Sequence, residues 1–237
     1  MSIVEKLTTI AENTPKVYDS GYSKGTAEGY SQAESDFWDA YQQNGTRRSY
    51  LYAFAGTGWT DETFKPKYDI KPTTLNGGFN LCEITDLVAA LERQGVVLDT
   101  SNATNMNSAF STMYKTTRLP AIDASKCTNT MNMFYASTGI KWIEKFILSE
   151  TTTITNTGNT FAGANALEHI IFEGVIWQSF KISWCPLDHE SIMSILNCLK
   201  DYAGSGTTYT VTLGTENLNK LTDAEKAIAT QKGWSLA

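Results

Sequence analysis

The feature that most constrains this chain is internal repetition: Leu98-Asp99-Thr100-Ser101 returns 24 residues later as Ile122-Asp123-Ala124-Ser125. The echo continues through Thr104 with Thr128, Asn105 with Asn129 and Phe110 with Phe134. Two apolar series, Leu119/Ile143/Leu167 and Leu98/Ile122/Phe146/Ile170, keep the same period. Phe161 falls three residues late relative to Phe134, which predicts an insertion absorbed within that turn before the pattern recovers at Leu167. A period between about 20 and 50 residues marks a solenoid, in which each copy buries its apolar face only against its neighbours. The expected fold is therefore an α/β solenoid with a period of about 24 residues over 98–184.

Each copy reads as an aromatic residue, a polar Ser/Thr/Asn connection and a short β-prone run, such as Leu119-Pro120-Ala121-Ile122. That predicts one short strand and one helical turn per copy, with Leu98, Ile122, Phe146 and Ile170 stacked in register about 4.8 Å apart. Ser101/Ser125, Thr104/Thr128 and Asn105/Asn129 are expected to be buried and to bond turn backbones.

Lys plus Arg is 19 against 25 for Asp plus Glu, a net charge of -6. Phosphate binding requires clustered cations, so nucleic acid is not an expected partner. The first residues carry no apolar core followed by a cleavage site, and no apolar run is long enough to span a bilayer. Neither a signal peptide nor membrane insertion is expected. Cys82, Cys127, Cys185 and Cys198 lie far apart without a CxxC pair, which favours free thiols over disulfides or a metal site.

In residues 1–45, Ile3, Leu7, Ile10 and Val17 have heptad-like spacing, and Gly21, Gly25, Gly29, Phe37 and Tyr41 continue at intervals of four or multiples of it. Three glycines cost an isolated helix about 3 kcal/mol relative to alanine. Close packing between helices of separate chains would offset that, giving an oligomeric helical stalk; the alternative is a flexible linker. Residues 46–97 read as an N-terminal cap, with Tyr50, Tyr52 and Phe54 alternating as a strand and a helix from Asp86 to Gln94 that Gly95 ends. Phe180, Ile182 and Trp184 alternate as a last strand. Residues 185–237 read as an α/β C-terminal cap, with Asp188 and Thr222 as helix N-caps and a strand over Tyr209–Leu213.

Chemistry is sparse. His169 and His189 have no partners at metal-ligand spacing, Ala203-Gly204-Ser205-Gly206-Thr207 lacks the first glycine of a nucleophile elbow, and no phosphate-binding glycine pattern exists. Glu83 and Asp86 fit a solvated helix N-terminus. No catalytic residue, cofactor or metal is expected. The candidate surface-binding residues are Tyr114, Tyr135, Trp142 and Trp177, flat rings on polar ground that suit sugars or protein hot spots. Tyr114 and Trp142 fit a core equally well, and Trp184 is assigned to the core.

The stretch Leu98-Asp99-Thr100-Ser101-Asn102-Ala103-Thr104 with Phe110, then Leu119-Pro120-Ala121-Ile122-Asp123-Ala124-Ser125 with Phe134, resembles the irregular leucine-rich repeats of the BspA type. The ending, Thr210-Val211-Thr212-Leu213 followed by Ala227-Ile228-Ala229-Thr230-Gln231-Lys232-Gly233-Trp234, is similar to the tail of such proteins from phages and prophages of Gram-positive gut bacteria. Glu12-Asn13-Thr14-Pro15-Lys16-Val17-Tyr18 resembles their amino-terminal stretch. The resemblance implies a non-enzymatic virion structural protein of a tail, baseplate or head fibre, assembled in the host cytoplasm. It implies a homo-oligomer, a trimer being favoured, that meets other virion proteins through the N-terminal segment and a host-surface glycan or protein through the repeats. A bacterial scaffold or cell-surface interaction module is the alternative.

Overall fold

The computed structural model describes residues 50, 53–66, 68–154 and 159–237. The expected stalk, with Ile3, Leu7, Ile10, Val17, Gly21, Gly25, Gly29, Phe37 and Tyr41, lies outside the described residues.

Helix α1 (Leu87–Gln94) forms where the local signals place it. The Asp86 carboxylate accepts the Ala89 N–H as N-cap, and Gly95 ends the helix in the left-handed region at φ 65°. Leu87, Val88, Ala90 and Leu91 face the core. The chain then runs into a parallel sheet of β1 (Arg118–Leu119), β2 (Ile122–Asp123), β3 (Trp142–Leu148) and β4 (His169–Gly174). β1 and β2 both pair with β3 and are separated by Pro120-Ala121, where proline supplies no N–H for the ladder.

Leu119 pairs with Ile143 and Ile122 with Phe146, as the 24-residue period requires. Beyond β3 the expectation fails. Ile143 pairs with Ile170 rather than Leu167, and Phe146 with Phe172 rather than Ile170. The late step at Phe161 is therefore not absorbed in its turn but carried into the strand, and an irregularity between Ile143 and Phe146 returns one residue of it. At the other end Leu98 bridges Ile70.

The polar connections do not contain the expected helical turns. In each of four turn segments, two residues four apart adopt left-handed backbone, with φ from 49° to 77°: Gly77/Leu81, Ser108/Thr112, Asn132/Ala136 and Asn159/Gly163. Backbone hydrogen bonding explains why non-glycine residues accept this conformation. Alternate N–H groups cross to the next segment, Met106, Ser108, Phe110 and Thr112 donating to the carbonyls of Asn129, Met131, Met133 and Tyr135. The N–H groups between them, Ala109 and Ser111, bond back to Met106 and Ser108. Both sets of donors are satisfied without regular secondary structure.

Midway between each left-handed pair sits a fully buried phenylalanine: Phe79, Phe110, Phe134 or Phe161. Their rings stack at centroid separations of 5.5, 5.9 and 5.2 Å with interplanar angles of 10°, 13° and 21°. Phe134 also meets Phe146 edge-on, linking this column to the strand-side rings Phe172 and Phe180.

The repeated Ser, Thr and Asn residues are half-buried or exposed rather than buried. They still bond turn backbones: the Thr128 hydroxyl donates to the Thr104 carbonyl, and the Asn105 and Asn129 side chains accept the N–H groups of Asn107 and Met131. Cys127 fills a buried slot, and all four cysteines are free.

Two strand assignments need correction. Phe54 is buried in a turn rather than a strand, and Trp184 lies in the turn after β5 (Phe180–Lys181), 38% exposed beneath the Lys181 amine, because the pairing with β6 stops at Ile182. The C-terminal part comprises β5, α2 (His189–Cys198), β6 (Tyr209–Thr212), α3 (Thr215–Leu218), α4 (Asp223–Gln231) and β7 (Trp234–Leu236), with a second parallel sheet ordered β5-β6-β7. Asp188 caps α2, and Thr222 with Glu225 forms a capping box on α4.

Candidate functional site

The strand register gathers one row of chemically distinctive side chains. Trp142, the first residue of β3, pairs with Arg118 of β1 on one side and His169 of β4 on the other. A bridge between Asp86 and Arg118 extends the row to the start of α1. At the far end His169 Nδ1 hydrogen-bonds Asp188 Oδ2 at 2.6 Å, and the same carboxylate accepts the Ser191 N–H at 2.8 Å to cap α2.

The Trp142 and His169 rings lie 3.6 Å apart at 11°, so the imidazole is covered by the indole and only 7% exposed, while Trp142 remains 40% exposed. Arg118 Nη1 is 3.3 Å from Asp86 Oδ2 and Nη2 is 4.0 Å from Glu144 Oε1. Such exposed pairs contribute about 0–1 kcal/mol each and mainly set where the guanidinium points. Among the described residues no Ser, Thr or Cys side chain hydrogen-bonds His169, and the Ser191 hydroxyl is fully buried, accepting the Ile170 N–H. The arrangement thus holds the indole but offers no activated nucleophile.

Burial raises the Asp188 carboxyl, but hydrogen bonds from Ser191 and His169 outweigh it and leave the group below its ordinary 3.8. Asp99, bonded by the Ser101 hydroxyl, and Glu225, bonded by the Thr222 N–H, are lowered too. A carboxyl lowered on folding stabilises the native state above its unfolded pKa, and that contribution is lost as pH falls through the folded value. The denaturant midpoint should therefore hold from neutrality to about pH 4 and fall below it. Asp188→Asn should make that acid limb shallower, and an unchanged slope would contradict the assignment.

The other singled-out residues are dispersed. Tyr114 is 57% exposed; its carbonyl lies where a Cβ on Gly139 would be 2.4 Å away, so only glycine there admits this backbone path. Tyr135 is 46% exposed, its carbonyl receiving the Thr112 N–H. Trp177 is half-buried rather than presented to solvent, its indole N–H bonded to the Thr152 carbonyl beside a cavity of ≈ 10 Å³. His189 bonds Glu225, and Glu83 and Asp86 pair with Lys115 and Arg118. Burial pushes the Cys82 thiol up to about 12, far from a reactive thiolate. Among the described residues no cluster of His, Cys, Asp or Glu could hold a metal, and no helix is long and apolar enough to cross a membrane.

The sequence singles out Trp142 as a candidate but not Arg118, His169 and Asp188, which the structure places in the same row. Arg118 and Trp142 are 24 apart and Trp142 and His169 are 27 apart, so the signal was present once the late step is carried through β4. Comparison with protein-family models, curated proteins and solved structures finds no match for the chain.

Proposed function

We propose that this chain is a non-enzymatic virion structural protein, an irregular leucine-rich-repeat solenoid of the BspA type that adheres to a host surface. One observation carries the reading. Tyr114, Tyr135 and Trp142 stand 57%, 46% and 40% exposed on turns and strand ends rich in Ser, Thr and Asn, while the phenylalanines of the same stacked segments are buried. Exposed aromatic rings on polar ground supply contact area at low conformational cost. Several such weak contacts on one oligomeric particle add through avidity rather than through one tight site. In this reading residues 1–45 assemble the chain, as a trimer, and join it to other virion proteins.

The test is adhesion of the full chain to Gram-positive cells, comparing wild type with the triple variant Tyr114→Ala/Tyr135→Ala/Trp142→Ala. Expected is loss of most cell binding with an unchanged thermal transition. Undiminished binding by the folded variant would overturn the proposal.

A further inference from the structure

We infer that Trp142 is a stacking platform for an uncharged sugar ring, with Arg118 and Glu144 as its polar rim and His169 and Asp188 as positioning residues. The inference rests on the adhesion reading and narrows its ligand to a neutral glycan.

Trp142 differs from the other exposed aromatics in how it is held. Tyr114 and Tyr135 make no ring contact among the described residues, whereas the indole lies 3.6 Å from an almost buried imidazole. That imidazole is fixed at 2.6 Å by Asp188, and Asp188 is fixed in turn as the cap of α2. A buried His and a helix cap are thus committed to orienting a ring that stays 40% exposed. Ordering a side chain before its ligand arrives removes a cost that binding would otherwise bear.

The rim sets the ligand's chemistry. The Arg118 guanidinium lies between the carboxylates of Asp86 and Glu144, so its charge is already paired, and the chain as a whole is at -6. Arg118, the register partner of Trp142, offers planar donors and Glu144, two residues along β3, offers acceptor oxygens, with side chains 45% and 41% exposed. A flat C–H face bordered by hydroxyls, as in a pyranose, satisfies both: its face covers the indole while its hydroxyls accept from the guanidinium and donate to the carboxylate.

The experiment follows the six indole N–H resonances of the full-length ¹⁵N-labelled protein during titration with chitotetraose, cellotetraose and maltotetraose, with trigalacturonate as the acidic control. Expected is a saturable millimolar shift of the resonance that Trp142→Phe deletes, with at least one neutral tetrasaccharide and not with trigalacturonate. His169→Ala should weaken that binding several-fold and His169→Phe, which restores a flat partner, should recover it at an unchanged thermal midpoint. No Trp142 shift with any neutral sugar, or a shift with trigalacturonate alone, overturns the inference. If cell adhesion needs Trp142 but no sugar moves its resonance, the sugar inference fails and adhesion stands; if a sugar moves it but adhesion survives Trp142→Ala, the platform stands and the adhesion reading fails.

Discussion

Phe134→Ala is expected to remove about 3–5 kcal/mol of stability, towards the upper end of what a buried phenylalanine commands. The ring is fully buried between Phe110 and Phe161 at 5.9 and 5.2 Å, and it also meets Phe146 at 5.8 Å, as Phe161 does at 5.9 Å. Its removal leaves a cavity at the junction of the turn-side and strand-side cores. Each ring pair contributes about 0.5–1.5 kcal/mol beyond area burial, so losing several together compounds the cavity. Phe180→Ala is the comparison: that ring is equally buried but, among the described residues, meets only the ring of Phe172, at 6.0 Å, and should cost less. Urea unfolding of both variants measures the difference. Total stability of a domain this size is about 5–15 kcal/mol, so the Phe134 variant should remain folded with a much lower midpoint. Equal midpoints for the two variants would deny the junction its role.

Gly174→Ala should be nearly as damaging for a different reason. Gly174 ends β4 at φ 86°, opposite Leu148 at the end of β3, and a Cβ built on it would lie 1.9 Å from the Leu148 carbonyl oxygen. Left-handed backbone costs a non-glycine residue about 1–2 kcal/mol, and forcing packed groups apart typically adds about 1–3 kcal/mol. Because the opposing atom is backbone, relief requires parting the two strands where they end. Gly204→Ala separates these contributions: its φ is 72°, but nothing lies within 4 Å of the added carbon. It should cost only the conformational part, and the gap between the two denaturation midpoints then reports the clash. A Gly174 variant no worse than the Gly204 variant would mean the β3–β4 ends separate freely.

Locally encoded features were legible in the sequence. The caps at Asp188 and Thr222 and the terminator Gly95 depend on groups within a few residues of the backbone they serve. Register beyond β3 was not legible, because Leu167 and Ile170 are both apolar and both buried; the 24-residue count therefore meets an apolar residue in either alignment. The left-handed pairs escaped notice for a related reason. Their positions hold Gly, Ser, Asn, Leu, Thr and Ala, which no single propensity unites; hydrogen bonds between neighbouring segments, not residue type, impose the conformation. The site divides along the same line. Trp142 was visible as a type of residue, whereas its dependence on His169 and Asp188 exists only once the strands are aligned and α2 is docked.

The paired left-handed positions behave as the teeth of a comb with elastic spacers. Among the described residues the two left-handed positions that make up a tooth are always four residues apart, yet from tooth to tooth the chain advances by 31, 24 and 27 residues. Length can therefore change between teeth, as it does where α1 is inserted, but not inside them. A lineage carrying this architecture can lengthen by copying one whole tooth and its spacer, extending the stack by one interstrand step of about 4.8 Å. Reach would then be adjusted in discrete increments while each existing junction is left unaltered.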